Sequence, residues 1–166
     1  KALVYDSFVT MVLKEVQEKT GLDPYNDGLT IETTIDSKAQ QRLYDIVNTN
    51  DYIQYVNDKI QNAVVMLDTK TGAVRAVNGG RKQTSLLGYN RATDNSRSTG
   101  STIKPVIDYG PAIEYLNYST GQTIMDQRTT YSNGVELNNW DFSHKGAMTL
   151  RTALVYSRNT TALQTF

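Results

Sequence analysis

Between Asp6 and Thr20 the apolar residues Val9, Val12, Leu13 and Val16 recur at helical spacing, and Gly21 stands where a left-handed residue commonly ends a helix. One amphipathic helix is predicted there. Residues 22–28 contain Pro24, Asn26, Asp27 and Gly28, a composition that reads as a joint between elements. Leu29, Ile31, Thr33 and Ile35 then alternate with polar neighbours and predict a strand. Asp36 is suited to cap a helix whose Ala39, Leu43, Ile46 and Val47 share one face. Further on, the apolar run Ala63-Val64-Val65-Met66-Leu67, a turn-like stretch at 68–72 and Ala73-Val74-Arg75-Ala76-Val77 predict a β-hairpin.

Residues 81–100 are polar and irregular, after which Ser101 opens a helical pattern carried by Ile103, Val106, Ile107, Ala112 and Ile113. Gly110-Pro111 is expected to interrupt it. The span 118–144 is rich in small polar residues and predicts an excursion with little regular structure. Leu150, Ala153 and Leu154 mark another helix, and a last one starts at Thr160 with Ala162, Leu163 and Phe166. A helix of two turns is marginal by itself, so the chain is expected to be a piece of something longer.

Composition narrows the classes of function. The 166 residues, 39% of them hydrophobic, suffice for one ordinary core. Seventeen basic residues balance 17 acidic ones, so no net field draws the chain to nucleic acid or anionic lipid. With no cysteine and a single histidine, His144, disulfides and thiolate chemistry are excluded and a metal centre is not expected. No run of 18 apolar residues exists, and any membrane anchor is expected outside these residues.

The chemistry concentrates on Ser101 and Lys104. Three positions apart on a helix, they share a face, with Gly100 before the serine allowing close approach and Pro105 tolerated near a helix start. A serine hydroxyl needs a base, and a free lysine with a pKa of about 10.4 is protonated at neutral pH. Burial, or the positive end of a helix, would have to lower it. Serine three before lysine is common by chance; Ser157-Arg158-Asn159, 56 positions after Ser101, supplies the second element. Its hydroxyl could relay a proton to a leaving amine, and its amide could orient lysine and substrate.

These residues carry a resemblance. Arg97-Ser98-Thr99-Gly100-Ser101-Thr102-Ile103-Lys104-Pro105 resembles the nucleophile segment of class A, bifunctional penicillin-binding proteins, and Tyr156-Ser157-Arg158-Asn159-Thr160 resembles their second motif. Leu67-Asp68-Thr69-Lys70-Thr71-Gly72 through Gly79-Gly80 is similar to the first hairpin of their transpeptidase domain, and Tyr89-Asn90-Arg91-Ala92 to the approach to the serine. The resemblance implies an α+β fold of the penicillin-binding and serine β-lactamase type, an antiparallel sheet flanked by helices, incomplete in this chain. It implies residues 1–28 as an interdomain helix and joint, and 29–166 as the N-terminal half of a transpeptidase domain.

The implied activity is a D,D-transpeptidase. Ser101 would attack D-Ala-D-Ala stem peptides with Lys104 as base, Ser157 and Asn159 would assist, and β-lactams would acylate the same serine without a cofactor. Implied partners are peptidoglycan, a C-terminal remainder of the domain, and a glycosyltransferase domain with its membrane anchor, on the extracytoplasmic face of a bacterial membrane. The family's third motif, lysine, threonine or serine, then glycine, should follow the second. Lys70-Thr71-Gly72 spells it but precedes Ser101 and is assigned to the hairpin turn. A penicillin sensor and a β-lactamase are the competing readings; no glutamate follows Ser157 to activate water for deacylation. His144 is expected to be merely solvated, and Trp140 and the tyrosines to serve packing.

Overall fold

The computed structural model describes residues 2–166, and the chain divides into two compact units, one ending at Ser96 and the other beginning at Arg97. In the first unit, α1 (Ala2–Thr20) starts earlier than the apolar spacing predicts and ends where expected. Gly21 adopts φ +72° and donates its N–H to the Gln17 carbonyl at 2.9 Å. Asp36 caps α2 (Ser37–Asn48), its carboxylate accepting from the N–H groups of Lys38 and Ala39. Such a cap contributes about 1 kcal/mol.

The hairpin forms as predicted: β1 (Val64–Leu67) runs antiparallel to β2 (Val74–Asn78), with Val64 opposite Asn78 and Val65 opposite Val77. Asp68 holds the turn by accepting from the N–H groups of Lys70 and Thr71. Polarity patterning misses the centre of this unit, because Gln40, a polar residue, is buried there. Its amide donates to the carbonyls of Val4 and Val77 and accepts from the Val77 N–H, joining α1, α2 and β2. The strand predicted at 29–35 does not form. Its end is tethered to β2 by the Asp36 N–H on the Arg75 carbonyl, while the Thr34 hydroxyl takes the Val74 carbonyl that a ladder would use.

In the second unit a 3₁₀ turn (Gly100–Ile103) leads through Lys104 into a π turn (Pro105–Tyr109) and then α3 (Gly110–Tyr115). The expected interruption at Gly110-Pro111 is therefore a change of pitch. Gly110 donates its N–H to the Pro105 carbonyl and closes the π turn. A Cβ at Gly110 would lie 2.8 Å from that carbonyl oxygen, so only glycine fits without a shift. Pro111 falls in the first turn of α3, where its missing N–H is harmless.

The span 118–144 is also more regular than its composition predicts, and the hairpin of the first unit is not the chain's only one. β3 (Thr123–Asp126) pairs antiparallel with β6 (Gly146–Thr149), and β4 (Thr129–Thr130) with β5 (Glu136–Leu137). Strands of two to four residues are too short to show the alternation by which strands are recognised. α4 (Leu150–Val155) and α5 (Asn159–Thr165) complete the unit. Its core gathers Tyr109, Ile124, Leu150, Ala153 and Ala162. Helices with small antiparallel sheets make this an α+β fold.

Candidate active site

The turn between α4 and α5 is the most constrained part of the second unit. Ser157 donates its N–H to the Leu154 carbonyl and Arg158 to that of Ala153, at 2.9 and 3.0 Å, the paired bonds that end a helix in a Schellman motif. That motif places its left-handed residue at Ser157, φ +52°. Glycine is usual there; a side chain costs about 1–3 kcal/mol and persists only where the surroundings hold it.

Arg158 supplies the hold. Its guanidinium, 1% exposed, donates through Nε to Asp126 at 2.8 Å and through Nη1 to both oxygens of Asp141 at 3.0 and 2.9 Å. A further bond reaches the Ser143 carbonyl. Asp126 also accepts from the Thr160 hydroxyl, the Asn139 amide and the Lys145 N–H. Burial opposes ionisation of Asp126, but these donors and the Arg158 charge outweigh it and bring its carboxyl below the usual range. Arg158, reinforced by Ser143, holds the Asp141 carboxyl far below that range. α5 lacks a capping side chain of its own, and Asn139 accepts from the N–H groups of Asn159 and Thr160 instead.

Lys104 is gripped by this turn. Its Nζ donates to Asn159 Oδ1 at 2.7 Å and the Ser157 carbonyl at 2.8 Å, and lies 3.3 Å from Ser157 Oγ and from the Arg158 carbonyl. Burial pushes the lysine pKa down; the Asp108 carboxylate opposes this and the Arg158 charge adds to it. A cavity of about 370 Å³ opens beside the amine, lined by Ser101, Lys104, Asp108, Tyr131, Leu137, Asn159 and Phe166, among others. Ser101 lies exposed on this cavity, in the 3₁₀ turn, and among the described residues no hydrogen bond reaches its hydroxyl.

The structure thus brings Lys104, Ser157 and Asn159 into direct contact and puts Ser101 on the same cavity wall. His144 faces Asp126 across 3.7 Å, Trp140 donates to the Tyr156 carbonyl, and Glu136 pairs with Arg128. Lys70-Thr71-Gly72 occupies the β1–β2 turn of the first unit. Reading the sequence misses Asp108, Asp126, Asn139 and Asp141. The arginine inside Ser157-Arg158-Asn159 hints at Asp126 and Asp141, since a guanidinium held inside a fold needs carboxylates, and no signal points to Asp108 or Asn139.

Among the described residues no cluster of histidine, cysteine or acidic side chains fits a metal ion. The profile of the penicillin-binding protein transpeptidase domain matches residues 62–166. Penicillin-binding protein 1A/1B of Bacillus subtilis is 44% identical over 98% of this chain and 17% of its own length. Penicillin-binding protein 1A of Streptococcus oralis is 40% identical over 96% of the chain and 26% of its own. The chain therefore spans about a fifth of these relatives. Of solved structures, the penicillin-binding protein PonA1 of Mycobacterium tuberculosis superposes with a TM-score of 0.73 at 28% identity, covering 95% of this chain and 40% of that one. The same protein in complex with penicillin V gives 0.68 at 26% identity, covering 95% and 41%. With a profile matched over most of its length and close relatives along nearly all of it, the chain belongs to the penicillin-binding protein transpeptidase family.

Proposed function

We propose that this chain carries the acylation half of a serine D,D-transpeptidase acting on D-Ala-D-Ala stem peptides of peptidoglycan. The observation that carries the reading is the buried Lys104 amine, lowered in pKa and held by Ser157 and Asn159 beside the cavity that Ser101 lines. Neutral Lys104 takes the Ser101 proton as Oγ adds to the penultimate D-Ala carbonyl. Ser157, in reach of the amine, passes that proton to the leaving nitrogen, and terminal D-Ala departs. An acceptor amine then attacks the acyl-serine, its proton returning along the same path. Penicillins acylate Ser101 by the same addition, the lactam nitrogen being the leaving group.

A strand beyond these residues supplies the third motif, the substrate carboxylate site and one oxyanion donor; without such a donor the rate falls on the order of 10²–10³. Residues 1–28 act as the interdomain connector and 29–166 as the first half of the domain. A glycosyltransferase domain and an anchor elsewhere in the polypeptide put it on the extracytoplasmic face of the membrane; no helix of the described residues is long and apolar enough to cross one.

Full-length protein treated with a fluorescent penicillin and mapped by peptide mass spectrometry should carry the label on Ser101. Label on another residue refutes the assignment, and rapid hydrolysis of the drug makes the protein a β-lactamase. Lys104→Ala should slow acylation about 10²–10⁴-fold. A protein that is acylated but transfers nothing to an amine acceptor is a sensor.

A further inference from the structure

The second unit buries two carboxylates, and they differ completely in their surroundings. Asp126, 1% exposed, takes donors from Arg158, Asn139, Thr160 and the Lys145 N–H. Asp108, 7% exposed on the π turn, takes no hydrogen bond from the described residues. Its oxygens are not among the sealed, unpartnered polar atoms of the described residues, so the carboxylate is reached from the cavity, and what balances its charge is to be sought there. The cavity supplies a candidate. Asp108 and Lys104 line it together, four residues apart on one helical run, and Lys104 is itself only 7% exposed.

The partners of Lys104 make this pairing informative. Both carbonyls, the Ser157 hydroxyl and the Asn159 amide oxygen are neutral, so no hydrogen-bonded group of the amine carries a balancing charge. The charged groups around it are Asp108, on its own run, and Arg158, from the α4–α5 turn, whose charge Asp126 and Asp141 already neutralise. Tyr131 of the β4–β5 hairpin is the other titratable side chain on the cavity.

We infer that Asp108 is the charge partner of Lys104, a positioning residue whose carboxylate stabilises the ammonium formed when Lys104 takes the Ser101 proton. This rests on the transpeptidase reading above. The π turn, closed by Gly110 on Pro105, carries the run on from Lys104 and holds Asp108, on the wall of the same cavity. The shifts agree with it. Burial raises the Asp108 pKa and the Lys104 charge lowers it, while the Asp108 charge raises that of Lys104. Each charge therefore favours the ionised form of the other. An ionised Asp108 makes Lys104 a stronger base and holds its proton to higher pH. Without that charge the amine is neutral at lower pH but accepts the serine proton less readily.

The test compares full-length wild type, Asp108→Asn and Asp108→Glu in penicillin acylation rate against pH. In Asp108→Asn the acid limb should move to lower pH and the plateau should fall about tenfold; Asp108→Glu should restore most of both. Competitive acetylation of Lys104, read by peptide mapping, measures the amine's ionisation without any turnover and should show the same downward move. An unmoved limb and an unmoved acetylation profile overturn the inference. Loss of folded protein in Asp108→Asn also overturns it, by making the carboxylate a structural brace. Wild type unlabelled at Ser101 would instead refute the transpeptidase reading, and the acetylation profile would still decide the pairing.

Discussion

Two turns meet at the cavity and are built in opposite ways. The Ser157-Arg158-Asn159 turn is held by a helix-ending motif, a guanidinium clamped by two carboxylates, and an asparagine from a distant loop that caps the following helix. The Ser101 turn is a single 3₁₀ turn opening on Gly100, φ +54°, exposed and, among the described residues, without a bond to its hydroxyl. The difference assigns the work of positioning. Lys104, the proposed base, is fixed by the α4–α5 turn, while the hydroxyl of Ser101, the proposed nucleophile, stays uncommitted and open to a ligand.

The largest way to break this contrast is Arg158→Ala. Removing one partner of a buried, hydrogen-bonded ion pair typically costs about 3–5 kcal/mol, because the remaining charge stays buried. Asp126 would keep its donors from Asn139 and Thr160 but lose its only guanidinium. Thermal unfolding should drop accordingly, and a change within about 1 kcal/mol would show that the loop holds the turn unaided. Acid offers a milder form of the same experiment. Asp126 and Asp141 are depressed in the folded state, so their stabilisation is complete above the ordinary carboxylate pKa of about 4 and is lost as pH falls through the depressed values. Asp108, raised by burial, has the opposite sign and a different window: it adds stability as pH falls through its raised value toward about 4, and changes nothing further below that. Unfolding midpoints measured toward about pH 2 should fall for wild type and fall less for Arg158→Ala.

How much of this was legible in the sequence follows from the range of each interaction. The α1 stop at Gly21, the Asp36 cap and the β1–β2 hairpin depend on neighbours within a few residues, and each was predicted. Ser101, Lys104, Ser157 and Asn159 were read from spacing and resemblance. Gln40 and the acceptors of Arg158 were not, because their partners lie 13 to 37 positions away or in loops without periodicity. The π turn was missed for another reason: Gly110-Pro111 signals a break, and only the close approach to Pro105 shows that glycine there keeps the run continuous.

Gly110→Ala probes the other side of the contrast. The new methyl would meet the Pro105 carbonyl oxygen at 2.8 Å, backbone against backbone, so the π turn has to open. Overpacking of this kind costs about 1–3 kcal/mol. Since the turn places Asp108 and precedes α3, the variant should unfold earlier and also show a displaced acid limb in acylation. Lost stability with an unchanged limb would separate the π turn from the placement of Asp108.

Ser157→Gly gives the smallest change in stability and the sharpest reading of the braced turn. Ser157 sits at φ +52°, where a β-carbon is disfavoured and glycine is not. Relief of that strain, less the greater entropy of glycine in the unfolded chain, should leave the variant equal to wild type or up to about 1 kcal/mol more stable. The Schellman bonds use backbone groups and survive, as do the contacts of Lys104 with Asn159 and the Ser157 carbonyl. Only the hydroxyl 3.3 Å from Lys104 disappears. If serine is kept in this conformation for its proton relay, acylation should fall while the unfolding midpoint holds or rises. A variant that acylates as fast as wild type would make the hydroxyl dispensable and leave Lys104, held by Asn159 and the backbone, to move the proton alone.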